Sequence, residues 1–329
     1  MIETQHRHVQ ARLVVGISSR ALFDLEEANT VFEREGVEAY RAYQREREEQ
    51  LLGKGAAFHL VEALLHLNRY DDRQRLVEVI IMSRNSPDTG LRIFKSIDHY
   101  GLDITRTAFT GGDPLAPYLA AYEVDLFLSK FEDDVQDAID HGFAAAQIYP
   151  PPPDFEPDRD QIRIAFDADA VVFSEESERI FKQDGLAAFV EHERRNAREP
   201  MAAGPFARLL RTLAYLQNAV PDDRVPVRLA IVTARNSPAH ERVIRTLRAW
   251  NVNVDEAFFL GGLPKDGVLR AFRAHIFFDD QHVHVEQAAR RVPSGKVPYK
   301  RGSPLHRPAA PAAEALPAEP PEPPGAHER

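Results

Sequence analysis

The stretch Arg163–Phe173, RIAFDADAVVF, is a β-rich apolar run broken by two aspartates two residues apart. An aspartate at a strand end is commonly a cap or turn residue, so the pair means little until its surroundings are read. Downstream, the chain alternates helical and strand-like segments. A helical region runs from Glu175 to about Gln217, interrupted near Pro200–Pro205. Val227–Thr233 is an apolar run of buried-strand type. Val243, Ile244, Leu247 and Trp250 put Ala239–Trp250 on helical spacing. Ala257–Leu260 is a short strand, Val268–Ala274 a short helix and Ile276–Phe278 a further strand. Such alternation predicts an α/β fold with a mainly parallel, Rossmann-like sheet. Ligands in such sheets bind beyond the carboxyl ends of the strands.

Four strand ends then carry chemistry in a fixed order: Asp167 and Asp169, then Thr233, then Lys265 in the loop GGLPK, then Asp279 and Asp280. Phosphate esters are anionic and resist an anionic nucleophile. A divalent ion held by carboxylates offsets that charge. Asp167 then attacks phosphorus to give an acyl phosphate. Asp169 protonates the leaving alkoxide and later deprotonates water. Lys265 and Thr233 hold the phosphoryl oxygens. Asp279 and Asp280, with Asp167 and Asp169, complete an oxygen-rich site of magnesium type. With no cysteine in the chain and no histidine in these four motifs, a hard cation fits better than zinc.

FDADAVVF, LAIVTAR, GGLPK and IFFDDQ together resemble the four motifs of haloacid dehalogenase-like phosphatases over roughly residues 160–300. The receiver-domain alternative has its paired acids before the phosphorylated aspartate, and the order here disfavours it. With ISSRALF near the N-terminus and HERRN in the helical stretch, the chain also looks like the cytosolic 5'-nucleotidases of type I over nearly all of residues 12–300. That resemblance implies magnesium-dependent hydrolysis of nucleoside 5'-monophosphates, typically AMP and deoxynucleotides, with a helical cap inserted at about 174–218. Alternatives are a phosphatase for another small ester such as a sugar phosphate, and a nucleotide-binding regulatory protein with vestigial hydrolysis.

The two halves of the chain repeat one another at a shift of 150–151 residues. Arg84-Asn85-Ser86-Pro87 recurs as Arg235-Asn236-Ser237-Pro238, and Ala108–Gly112 recurs as Phe258–Gly262. Several ordered matches at one offset indicate duplication. The expected layout is a degenerate, haloacid dehalogenase-like half at 1–149, a Pro-rich linker at 150–160, a catalytic half at 161–301 and a disordered Pro/Ala/Glu tail at 302–329. Opposite Asp167-Ala168-Asp169 the first half has Ile17-Ser18-Ser19. Opposite Thr233 it has Met82 or Ser83, opposite Lys265 Leu115, and opposite Asp279-Asp280 Ser129-Lys130. It is therefore expected to be catalytically silent. It serves either as scaffold or as a ligand site in which Ser18, Ser19, Arg20, Ser83, Arg84 and Lys130 hold a nucleotide phosphate or reach the substrate of the other half.

The bulk composition agrees. A net charge of -10 without a segregated basic patch excludes nucleic acid as a partner. No apolar run is long enough to span a membrane, and Met1–Gln10 has no apolar signal core. A cytoplasmic protein acting on a small nucleotide is expected; self-association between chains is allowed, not required. Arg235 sits close enough to Thr233 to touch phosphate, although its apparent twin Arg84 argues equally for structure. Glu175, Glu176 and Glu178 read as a helix N-terminal cluster, and His282 and His284 as a solvated loop. Trp250, Phe258 and Phe259 read as core, as do Phe181 and Phe189 ahead of base stacking.

Overall fold

The structure, a computed structural model, describes residues 13–71, 74–150, 152, 155–158, 161–219 and 226–306. The N-terminal stretch 1–12, residues 151, 153–154 and 159–160 of the expected linker and most of the expected tail lie outside the described residues. Of the tail, 302–306 form turns, and Ser303 donates from Oγ to Glu175 at 2.6 Å.

Ten strands form one sheet. In chain order they are β1 Leu13–Ile17, β2 Val77–Ser83, β3 Arg106–Phe109, β4 Leu126–Ser129 and β5 Ala144–Tyr149, then β6 Ile162–Phe166, β7 Val227–Thr233, β8 Glu256–Phe259, β9 Ile276–Asp279 and β10 Ser294–Lys296. Their spatial order is β8-β7-β6-β9-β10-β5-β4-β1-β2-β3. Every neighbouring pair is parallel except β5–β10, where Ile148 faces Gly295 in antiparallel register. The central strands are mostly apolar because helices cover both faces of a parallel sheet; all seven residues of β2 are buried, Glu78 among them through its bonds with Arg106. The strand expected to continue to Phe173 stops at Phe166. The Asp167 amide donates to the Phe278 carbonyl (2.8 Å), and the chain then turns away.

Read outward from the β5–β10 seam, the two sides have matching orders, β5-β4-β1-β2-β3 and β10-β9-β6-β7-β8. Backbone bonds give the residue correspondence. Ser18 donates its amide to Leu128 O (2.9 Å) as Asp167 does to Phe278 O, so Ser18, not Ile17, stands at the place of Asp167. Asn85 N donates to Ser83 Oγ (3.2 Å) as Arg235 N does to Thr233 Oγ1 (3.2 Å). Leu52 N donates to Ser96 Oγ (3.0 Å) as Met201 N does to Thr246 Oγ1 (3.0 Å). The repeated Arg-Asn-Ser-Pro is thus one residue out of spatial register at its arginine: Asn85, not Arg84, occupies the place of Arg235.

Between Ser18 and Ala21 the first half has two residues. Between Asp167 and Val171 the second has three, accommodated by a one-turn bulge at Ala168–Val172 with Ala170 left-handed at φ 60°. Two long helices also correspond, α1 Glu26–Glu46 and α2 Glu176–Arg195. Each bends at a glycine, Gly36 at φ 84° and Gly185 at φ 83°, a region that L side chains rarely adopt.

The antiparallel seam has a geometric consequence. The strands of the two sides run in opposite directions, so their carboxyl ends open at opposite edges of the sheet. Four strands separate β1 from β6, which is about 24 Å at ordinary strand spacing. One apolar core nonetheless runs through both sides, from Leu13 and Val15 to Phe166 and Phe278.

The seam is tightly packed. A Cβ on Gly295 would lie 2.9 Å from Phe278 Cδ1 and 3.0 Å from Ala146 Cβ. Gly295→Val is expected to lower stability by about 1–3 kcal/mol through overpacking, read as a lower urea midpoint at unchanged slope; an unchanged midpoint would contradict this packing.

Candidate active site

At the carboxyl end of β6 the chain buries more negative charge than it neutralises. Asp167, Asp279 and Asp280 are all buried, and each offers an oxygen within 4.8 Å of the others. Asp279 ends β9, the neighbour of β6, and Asp280 follows it. Lys265, buried at the start of the helix Asp266–Phe272, is the cation among them. Its Nζ donates to Asp167 Oδ1 (2.7 Å) and Asp279 Oδ2 (2.6 Å). Three carboxylates against one ammonium leave a formal excess of two negative charges.

Buried charge without compensation is costly, so the excess must be met by protons or by a cation. Burial pushes Asp167 up to about 7, against the pull of Lys265 and with a further push from Asp279 and Asp169. Burial and the Asp279 and Asp167 charges hold Asp280 well above the usual carboxylate range. Asp279 goes the other way: although burial raises it, Lys265 and His284 together hold it below that range. Asp280 Oδ1 is buried without a hydrogen-bond partner, while its Oδ2 accepts from the Tyr299 hydroxyl. A buried all-oxygen set with a divalent excess and an unpartnered oxygen suits a hard divalent cation.

Asp169 is held differently. Both of its oxygens accept from Arg235, from Nη2 at 2.6 Å and Nε at 2.7 Å. Arg235 Nη1 reaches Glu193 on α2 at 2.5 Å, and Glu193 also accepts from Ser177 and Arg242. Glu193 is fully buried, and its charge is matched by these arginines. Asp169 and Glu193 together raise the Arg235 guanidinium further above its ordinary value, although burial alone would lower it. This network ties the helix over the site to the second aspartate of the motif. Thr233, buried at the end of β7, accepts the Arg235 amide, which leaves its hydroxyl hydrogen for another acceptor.

The expected second-half residues are therefore gathered at one edge, Asp167 and Asp279 bridged by Lys265 with Asp280 within 4.8 Å, and Asp169 and Thr233 each bonded to Arg235. Ser18, Ser19, Arg20 and Arg84 lie at the opposite edge and do not join them. His282 and His284 are on the helix His282–Ala289, not in a loop. His284 Nδ1 lies 3.4 Å from Asp279, and His282 faces Glu286. Of the expected core aromatics, Trp250, Phe258 and Phe259 are only partly buried but pack against core. Phe189 is buried under the Arg235 guanidinium, while Phe181 is exposed.

The residues that sequence reasoning missed are Glu193 and Tyr299. Glu193 lay within HERRN, where a buried carboxylate among basic residues reads as a solvated helix face. Tyr299 follows β10 by three residues and carries no local signal.

The family model described as 5'-nucleotidase matches residues 5–304. Cytosolic 5'-nucleotidase 1B of Homo sapiens is 38% identical over 288 residues, covering 84% of this chain and 47% of that protein. The chain thus spans about half the length of that curated relative. No solved structure matches the chain.

Two outcomes follow from the charges. The folded-state value of Asp167 lies above its unfolded value, so its contribution to stability is present at low pH and is lost as pH rises from about 4 through about 7. In EDTA the melting temperature is expected to carry this loss between pH 5.5 and 8, and a divalent cation at one fixed concentration, about 100 times its Kd at pH 8, to restore about 2.7 kcal/mol at pH 8 but less at pH 5.5, where protons compete for the site; an equal shift at both would refute the charge argument. Arg235→Met leaves Asp169 buried without its arginine and Glu193 with Arg242 and Ser177 alone, and is expected to cost about 3–5 kcal/mol in urea unfolding.

Proposed function

The chain belongs to the 5'-nucleotidase family, as a relative of the cytosolic type I enzymes, and we propose that it is itself a phosphoric monoester hydrolase that converts nucleoside 5'-monophosphates, AMP or deoxynucleotides, to nucleoside and phosphate. The observation that carries this reading is the buried cluster of Asp167, Asp279 and Asp280, whose charge exceeds what Lys265 offsets. We read the fold as haloacid dehalogenase-like, with α2 as cap and the first half as a degenerate duplicate; the helix Ala207–Ala219, within the insertion expected as cap, packs on the sheet through Leu209, Leu210 and Leu213 instead. The matched strand orders, paired backbone bonds and twin glycine bends support that reading. On it, residues 1–149 are the silent copy and 161–301 the catalytic half.

Mg2+ is the cation we assign, held by Asp167, Asp279 and Asp280 with Asp169 beside them. When bound, it offsets the charge of the phosphate that approaches the carboxylates. Asp167 supplies the nucleophile. One of its oxygens forms a bond to phosphorus as the bond to the 5'-oxygen breaks, giving an acyl phosphate and an alkoxide. Asp169 gives that alkoxide its proton and then takes a proton from water, whose oxygen attacks phosphorus and returns the Asp167 carboxylate with release of phosphate. Lys265 and the Thr233 hydroxyl hold phosphoryl oxygens as charge develops on them. Arg235 is a positioning residue: one of its two bonds to Asp169 must be exchanged for the leaving oxygen before the proton can pass.

A cytosolic location follows the name of the relative, and among the described residues no helix is long and apolar enough to cross a membrane.

Phosphate release from AMP, deoxynucleotides and sugar phosphates, with Mg2+ and with EDTA, tests the reading. Release is expected from nucleotides with Mg2+ only, reduced at least about 10^3-fold in Asp167→Asn. Release from sugar phosphates alone would overturn the substrate, and undiminished release by the variant would overturn the nucleophile.

A further inference from the structure

We propose that the first half carries a second, metal-independent binding site for a nucleoside phosphate. The site is a cavity of about 440 Å³ at the carboxyl ends of β1 and β2, between those strand ends and the bent helix α1. That volume lies within the range of small-molecule sites. The inference rests on the cavity and on the matched backbones of the two halves. It does not depend on turnover at the acidic site, which opens at the opposite sheet edge.

The charge of the place is inverted. Where the second half has Asp167, Asp279, Asp280 and Lys265, the first has Ser18, Ser129, Lys130 and Leu115. The formal charge of these four positions changes from minus two to plus one. No cation is then needed to bring a phosphate in.

The wall is rich in donors. Ser18, Ser19 and Ser83 are buried and line the cavity. Ser18 Oγ accepts the Ala21 amide, and Ser19 and Ser83 share one hydrogen bond of 3.1 Å. Three hydroxyls use one hydrogen between them, which leaves two to donate to a ligand. Arg20 binds Asn29 and Glu26 through its terminal nitrogens, and its Nε is buried without a partner, as is Ser86 Oγ. Lys130 shares Glu26 with Arg20, so two cations stand against one carboxylate. Of the acids on the wall, Asp134 is paired with Arg84 and Asp133 is exposed at the mouth. Buried polar atoms left without partners are uncommon in a region that serves only as packing.

The other wall is aromatic. Phe32 and Phe131 stay 48% and 43% exposed, and Tyr40 meets Phe32 edge-on at 6.0 Å. The Arg20 guanidinium lies 4.6 Å from the Phe131 ring centre. Exposed rings, a guanidinium lying over one of them and buried hydroxyls lining the same cavity match a planar base joined to a phosphate. The cavity has room because Asn85 stands where the second half has the long side chain of Arg235.

The test is calorimetric binding of AMP to the full chain carrying Asp167→Asn, in EDTA. One AMP per chain is expected. Arg20→Ala or Phe32→Ala is expected to weaken it about tenfold or more, while Lys265→Ala leaves it unchanged. Inorganic phosphate and adenosine should each bind more weakly than AMP. Phe32 is exposed, so its variant keeps the fold. No binding in EDTA, or binding lost with Lys265→Ala and kept with Arg20→Ala, would overturn the proposal. A chain that hydrolyses AMP with Mg2+ yet binds none in EDTA would keep the catalytic reading and lose only this one.

Discussion

An uncompensated pair of negative charges, buried at the end of β6, is the constraint to which the rest of the second half answers. Three carboxylates cannot be brought within 4.8 Å of one another inside a protein on packing grounds alone. The sheet brings them together because the β6–β9 pairing sets Asp167 beside Asp279. Lys265 reaches in from the next helix and spans two of them. What it leaves unmet is the size of a divalent ion, and in the ion's absence protons on Asp167 and Asp280 take that role.

The ion-pair chain from Asp169 through Arg235 to Glu193 solves a different problem. The aspartate must be near the cluster without adding to its excess, and Arg235 balances it locally. Because Glu193 is on α2, the helix over the site cannot move without disturbing the partner of Asp169. The first half keeps an echo of this network without its carboxylates. Gln44, buried on α1, accepts from Arg92 as Glu193 accepts from Arg242, and donates to the Tyr40 hydroxyl. Without a carboxylate to balance, the shorter Asn85 suffices where Arg235 would be, and the space becomes cavity.

Much of this was legible in the sequence. Apolar runs of strand length followed by polar residues marked β7, β8 and β9 to within a residue, whereas the run at β6 was read through to Phe173 although the strand stops at Phe166. The candidate site residues were legible because Asp167, Thr233, Asp279 and Asp280 stand at strand ends and Lys265 lies in the loop beyond β8. What was not legible depended on non-local geometry. A one-residue bulge at Ala168–Val172 changes the pairing of the halves, so an unbroken offset set Ile17 rather than Ser18 against Asp167. The repeated Arg-Asn-Ser-Pro misled at its arginine, because a conspicuous tetrapeptide outweighs hydrogen bonds that only the fold reveals. Glu193 and Tyr299 meet their partners across 42 and 19 residues, with no periodicity to announce them.

The antiparallel β5–β10 seam fixes how the two halves divide their roles. Had the second set of strands continued in the direction of the first, both carboxyl edges would lie on one side. Residues such as Arg20 could then serve a ligand bound at Asp167. Reversal at the seam sends the two edges apart, with four strands between β1 and β6. The acidic cluster and the first-half cavity are each lined by residues of their own half. Each site is complete or absent by its own residues, so replacing carboxylates by serines and lysine in one half leaves the other's charge excess untouched. The shared core through both halves then carries the remaining obligation: the first half must stay folded for the second to do so, whatever its own pocket holds.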